Sequence, residues 1–159
     1  MEEILKLSHE LGQALKAHGW LLTTAESCTG GQLAAAITSI PTSSIWFDRG
    51  FITYSNPAKQ EMLNVSAETL KQFGAVSEET VREMAMGALN RSAAQVSIAV
   101  SGVAGPDGGT AKNPVGTVWI AWQGLRFNPK AQLYHFSGNR AEVQQQAVKY
   151  ALRDLLPLL

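Results

Sequence analysis

Apolar residues recur through the first segment at Ile4, Leu5, Leu7, Leu11, Ala14 and Leu15. That spacing, mostly three and four, predicts an amphipathic helix over 3 to 18 that ends near Gly19. The next run, "WLLTTA" (20 to 25), reads as a short buried strand, and "QLAAAITSI" as a second helix that begins around Thr29 or Gly30 and stops at Pro41. "WFDRGFITYS" (46 to 55) is aromatic and β-branched, which predicts a strand with Gly50 at a bulge or a close approach. Asn56 as N-cap and Pro57 at the first helical position open a short helix. Another follows from Ser66 to Phe73 and closes at Gly74. Ser77 caps a longer helix, with Glu78 and Glu79 in its positive first turn and Val81, Met84, Ala85, Ala88 and Leu89 as its buried stripe. "QVSIAVSG" (95 to 102) is a strand emptying into a glycine-rich loop; "VGTVWIAW" and "QLYHFS" read as antiparallel strands. Asn139 and Glu142 form the two halves of a capping box for a last helix whose inner face carries Val143, Ala147, Ala151 and Leu155. The alternation predicts a single three-layer α/β/α domain with a mixed, partly parallel sheet, and no repeat or linker interrupts it.

Composition narrows the partners. The chain has 159 residues, 45% hydrophobic and 16% charged, with 13 basic residues balancing 13 acidic ones. A neutral balance offers no broad field for a phosphate backbone, so nucleic acid is not the expected partner. Cys28 is the single cysteine, so no intramolecular disulfide forms and a reducing cytoplasm is the expected compartment. The acidic, charge-punctuated start lacks the features of a signal peptide. No uncharged apolar run approaches the roughly 18 residues of a membrane span.

Chemistry concentrates at "TTAESCTGG", Thr23 to Gly31, where a strand gives way to a helix. Ligand sites in open α/β sheets gather at strand carboxyl ends, and unpaired N–H groups at a helix start can hold a developing oxyanion. Ser27 is thus a candidate nucleophile, with the backbone around Cys28, Thr29, Gly30 and Gly31 as its surroundings. Equally open is a structural reading in which Ser27 and Thr29 cap the helix, the glycines allow close packing and Cys28 is a small buried apolar residue. A third reading makes Cys28 the nucleophile. A serine nucleophile needs a base. His9, His18 and His135 have no acidic residue in a supporting arrangement, so a Ser-His-Asp triad is poorly supported. Lys59 is the better choice: in a first helical turn it faces the positive dipole end, and burial favours its neutral form, although a solvated surface lysine reads equally from sequence. Tyr54 and Ser55 end the preceding strand and can face the same cleft. Tyr54 can orient the lysine, stack on a flat substrate or pack in the core, and Ser44 precedes the same strand. The loop "SGVAGPDGGTAKNPVG" is neither a P-loop nor a dinucleotide fingerprint, but Gly105, Gly108 and Gly109 suit backbone contact with an anion.

Taken in order, "AESCTGG", "GFITYSNPAK", "GAVSEETVREMAMGAL" and "SGVAGPDGGTAKNPVG" resemble the CinA C-terminal domain family, over roughly residues 5 to 155. The whole chain is similar to the stand-alone members of that family, the nicotinamide-nucleotide amidohydrolases. The resemblance implies hydrolysis of the carboxamide of nicotinamide mononucleotide to nicotinate mononucleotide and ammonia, without metal or cofactor. It implies Ser27 as nucleophile, Lys59 as base, assistance from Tyr54 and Ser44, and Ser101 beside the substrate. Arg49 or Arg140 and the loop from Gly105 to Thr110 are the alternatives for the phosphate. A homo-oligomer, a dimer in particular, is the expected assembly. Two departures stand out: Thr42 occupies the place of an expected glycine, and Ser101 that of a threonine. The rival to enzymatic action is a nucleotide- or partner-binding module linked to competence or DNA repair.

Overall fold

The computed structural model describes residues 1–159. Five strands form one sheet in the order β2-β1-β3-β4-β5: β1 (Leu22–Glu26), β2 (Phe47–Ile52), β3 (Val96–Gly102), β4 (Thr117–Gly124) and β5 (Lys130–His135). β1 pairs in parallel with β2 and β3, whereas β4 runs antiparallel to both its neighbours, so the sheet is mixed. Helices α1 (Glu2–His18), α2 (Gln32–Thr38) and α6 (Arg140–Arg153) cover one face; α3 (Asn56–Leu63), α4 (Ala67–Phe73) and α5 (Glu78–Asn90) cover the other.

Strand alternation decides what each layer meets. Ile98, Val100, Ile120 and Trp122 point into the larger core with Leu11, Leu15, Leu33 and Val143. Between them Ala99 and Ala121 point the other way, where they and Ala25 let α5 lie close with Met84 and Ala88. The predicted stripe Val81, Met84, Ala85, Ala88 and Leu89 is buried throughout. The Asn139–Glu142 capping box is present in full.

Two local expectations are corrected and a third is narrowed. α2 starts at Gln32 rather than at Thr29 or Gly30, because Gly30 and Gly31 adopt φ of 56° and 102°, outside helical space. Asn56 is the first residue of α3, not its cap: the Ser55 side chain accepts from the Ala58 amide, and Ser55 is exposed outside the site. The irregularity in β2 falls where Phe47 and Arg49 flank an extra Asp48, while Gly50 is the close approach, since a Cβ there would lie 2.8 Å from Thr24 Oγ1.

Thr42 explains why glycine is expected in its place. It opens a short 3₁₀ turn, Ser43–Ile45, at φ 69° and ψ 8°, a conformation that a β-branched residue adopts only under strain. Relief of that strain, less the entropy glycine loses, leaves Thr42→Gly more stable by about 1 kcal/mol. Thermal unfolding should show a midpoint about 2–4 °C higher; an unchanged or lower midpoint would refute the strain.

Candidate active site

The carboxyl ends of β1 and its two parallel neighbours converge where Glu26 pairs with Ile52 and Val100. The ladder extends one step beyond the strands, with the Ser27 amide donating to Val100 O at 2.9 Å and the Thr53 amide to Glu26 O at 2.8 Å. Ser27 is therefore held by sheet hydrogen bonds on the floor of a cavity of about 310 Å³.

Glu26 organises the turn that follows. It is buried, and its Oε1 accepts from the Thr29 hydroxyl at 2.6 Å and from the amides of Leu33 and Gly31 at 2.9 and 3.2 Å. Its Oε2 accepts from the Ala34 amide at 3.0 Å. The start of α2 is thus satisfied by a carboxylate at the positive end of the helix, and neither Ser27 nor Thr29 caps it. The helix-cap reading of Ser27 does not hold. The sequence reading passed over Glu26; an acidic residue between a strand and a glycine turn was the available signal.

Lys59, on the first turns of α3, is 1% exposed although it carries an amine. Its Nζ lies 3.0 Å from Ser27 Oγ, 2.9 Å from Thr53 O and 3.1 Å from Tyr54 O. Burial pushes its pKa down from 10.5 to about 8. Cys28 lies beside this pair, and burial pushes its thiol up to about 12, so it offers no thiolate near neutrality and the cysteine-nucleophile reading loses its reagent.

Tyr54 does not pack in the core; the residue is 64% exposed at the cavity wall, and its carbonyl, not its phenol, meets Lys59. Ser27 Oγ also lies 3.4 Å from that carbonyl. Ser101 is buried in the wall and donates to Ala75 O at 2.8 Å. Gly105 and Gly108 line the cavity at φ of 84° and 89°, whereas Gly109 does not and lies against Val115 instead. The amides of Ala104, Gly105, Asp107 and Gly108 on this loop donate to no acceptor in the chain. Arg140 lines the cavity and donates to Gly105 O at 2.8 Å. Arg49 is elsewhere, engaged with Asp48 and Arg91 O, which settles the choice between the two arginines as cavity residues.

Ser44 is a correction. It is exposed in the 3₁₀ turn before Phe47, at the end of β2 paired with Leu22, whereas the cavity opens at the opposite end, beyond Ile52. None of the three histidines lines the cavity. No three His, Cys, Asp or Glu side chains gather as a metal ligand set, and no helix is long and apolar enough to cross a membrane. The amides proposed around an oxyanion also narrow, since Gly30 N donates to Ser27 O at 3.1 Å and Gly31 N to Glu26. Those of Cys28 and Thr29 donate to no other residue, and of Thr29, Gly30, Gly31 and Cys28 only Cys28 lines the cavity.

A nicotinamide-nucleotide amidohydrolase PncC of Enterobacter agglomerans is 55% identical over 95% of this chain and 92% of its own length. The protein of that name from Escherichia coli K12 is 54% identical over 96% of this chain and 93% of its own. Among solved structures, a competence/damage inducible protein CihA from Agrobacterium tumefaciens superposes with a TM-score of 0.96 at 43% identity, over 98% of this chain and 95% of the other. The model of the CinA C-terminal domain matches residues 4–159, and with these relatives it places the chain in the CinA C-terminal domain family.

Proposed function

We propose that the chain hydrolyses the carboxamide of nicotinamide mononucleotide, giving nicotinate mononucleotide and ammonia, with Ser27 as nucleophile and Lys59 as its base. One observation carries the chemistry: a buried lysine amine, paired with no carboxylate, lies 3.0 Å from a serine hydroxyl on a cavity floor. The substrate comes from the relatives, which are named for that amide hydrolysis.

The two carbonyls around Nζ make the amine a base. Thr53 O and Tyr54 O can only accept, so a neutral amine gives them its two N–H groups and turns its lone pair toward Ser27. When the amine is protonated, its third N–H occupies Ser27 Oγ instead and the serine proton points toward Tyr54 O. In the forward direction Lys59 takes the hydroxyl proton as Oγ bonds to the amide carbon. The oxygen that gains charge meets the free N–H groups of Cys28 and Thr29. Breakage of the C–N bond releases ammonia with the proton from Lys59. Water, deprotonated by the same amine, then bonds to the acyl carbon, and Lys59 returns that proton to Ser27 Oγ as the acyl–Oγ bond breaks. Arg140 and the unpaired loop amides supply the positive side of the cavity for the phosphate. The exposed face of Tyr54 suits a pyridinium ring.

Ammonia release from nicotinamide mononucleotide by purified protein should be clear for the wild type and reduced roughly a thousand-fold or more in Ser27→Ala. Binding of the nucleotide without ammonia from the wild type would instead support the non-hydrolytic module.

A further inference from the structure

The unpaired N–H groups that follow Ser27 are not free to turn, and one of the groups that hold them lies far away in the chain. Two successive trans peptides are involved, and in each the carbonyl and the N–H point in opposite directions. Ser27 O is held by the Gly30 amide at 3.1 Å, which aims the Cys28 N–H the other way. Cys28 O is held by Gln144 Nε2 at 3.0 Å, which aims the Thr29 N–H the other way. The first anchor is local to the turn; the second comes from α6, across 116 residues of sequence.

Gln144 is half-buried and set one turn beyond Arg140, on the same face of α6. From that face Arg140 holds Gly105 O on one wall of the cavity while Gln144 holds the nucleophile turn on another. The platform is firm: the capping box fixes the helix start, and Val143 and Ala147 beneath are fully buried. The other two glutamines of the run do not share this role, since Gln146 donates to Ser137 O and Glu142 O and Gln145 has no partner.

We infer that Gln144 is a positioning residue for the hydrolysis: by holding the Cys28 carbonyl, its amide orients the Thr29 N–H toward the oxygen that becomes charged. The inference rests on the serine–lysine reading above. A donor that acts through orientation matters in the transition state and not in substrate binding.

The experiment compares Gln144→Leu, which fills the space without a donor, Gln144→Glu, which keeps the shape and turns an oxygen toward the carbonyl, and Gln144→Arg, which restores N–H donors. In the first two, kcat on nicotinamide mononucleotide should fall about 10- to 100-fold, and in Gln144→Leu, which adds no charge beside Arg140, KM and the pH midpoint should stay unchanged. Gln144→Arg should recover most of the loss. Unchanged kcat in both donorless variants overturns the inference, as does a loss in Gln144→Leu that follows a fallen thermal midpoint or appears in KM instead. Phosphonylation of Ser27 by a fluorophosphonate, in which an Oγ–P bond forms and fluoride leaves, separates this from the substrate assignment. A wild type that labels at Ser27 yet releases no ammonia removes the nucleotide as substrate, and the labelling rate of Gln144→Leu must still fall by a similar factor. A wild type that does neither overturns the serine–lysine reading and this inference with it.

Discussion

Replacing Lys59 with methionine should lower deamidation by roughly a thousand-fold or more, and the wild-type rate should climb with pH to a plateau above about 8. The base must be neutral before it can accept the Ser27 proton, and burial sets the pH at which that happens. One unit below that value, about one amine in ten is neutral, so a tenfold rise separates pH 7 from the plateau. Lys59→Arg should be as inactive as the methionine variant, because a guanidinium holds its proton throughout this range. The ascending limb of kcat/KM reports the free enzyme and is the quantity to plot. A flat profile between pH 6.5 and 9, or turnover surviving in Lys59→Met, would sink the proposed base. Stability carries the same signature. The folded-state pKa lies below the unfolded value, so between about 8 and 10.5 the unfolded chain binds more protons and stability rises with pH. Below about 8 both states are protonated, and the burden of the buried cation, about 3 kcal/mol, is fully present. Wild type minus Lys59→Met, followed by denaturant titration at several pH values, isolates that slope from every other titrating group.

The two residues that meet on the cavity floor, Ser27 and Lys59, were legible because each sits at a boundary that local chemistry marks. Ser27 follows an apolar run and precedes two glycines, and Lys59 follows a serine, an asparagine and a proline that open a helix. What joins them is the parallel pairing of β1 and β2, a long-range fact that the strand patterns permit without specifying. The strands and helices were readable for the same reason: the buried stripes of α1, α5 and α6 follow helical spacing. Where the reading failed, a backbone or tertiary detail outweighed residue type. Asn56 is a good cap, but Ser55 already held the position. Tyr54 meets Lys59 through its carbonyl, for which the side chain is no guide, while its exposed ring stays available at the cavity wall. Ser44 lies near β2 in sequence yet at the wrong end of it, because a strand separates its two ends in space. Arg140 reaches the cavity and Arg49 does not, a distinction made only when α6 packs beside the glycine loop. Glu26 and Gln144 act on backbone groups, and side-chain-to-backbone bonds leave little periodic trace in sequence.

Glu26→Ala should be the most damaging single change outside the dyad. It removes one carboxylate and leaves four donors without an acceptor: the Thr29 hydroxyl and the amides of Gly31, Leu33 and Ala34. A buried donor left unpaired costs about 1–3 kcal/mol, and water entering the space freed by the shorter side chain offsets part of that, so a net loss of about 3 kcal/mol is expected. For a chain of this size the thermal midpoint should fall by roughly 6–12 °C. Glu26→Gln separates acceptor geometry from charge. Its carbonyl can serve the three donors now on Oε1, while its NH₂ group opposes the Ala34 amide, so it should lose roughly half as much. Equal losses in the two variants would mean that the negative charge at the start of α2, and not the number of acceptors, holds the turn. The kinetic consequence follows from the same geometry. Glu26 fixes the far side of the Ser27 turn as Gln144 fixes the near side, so in the folded fraction of Glu26→Gln kcat should fall while KM stays close to that of the wild type. A rise in KM alone would place Glu26 in substrate binding, where no contact in the cavity puts it.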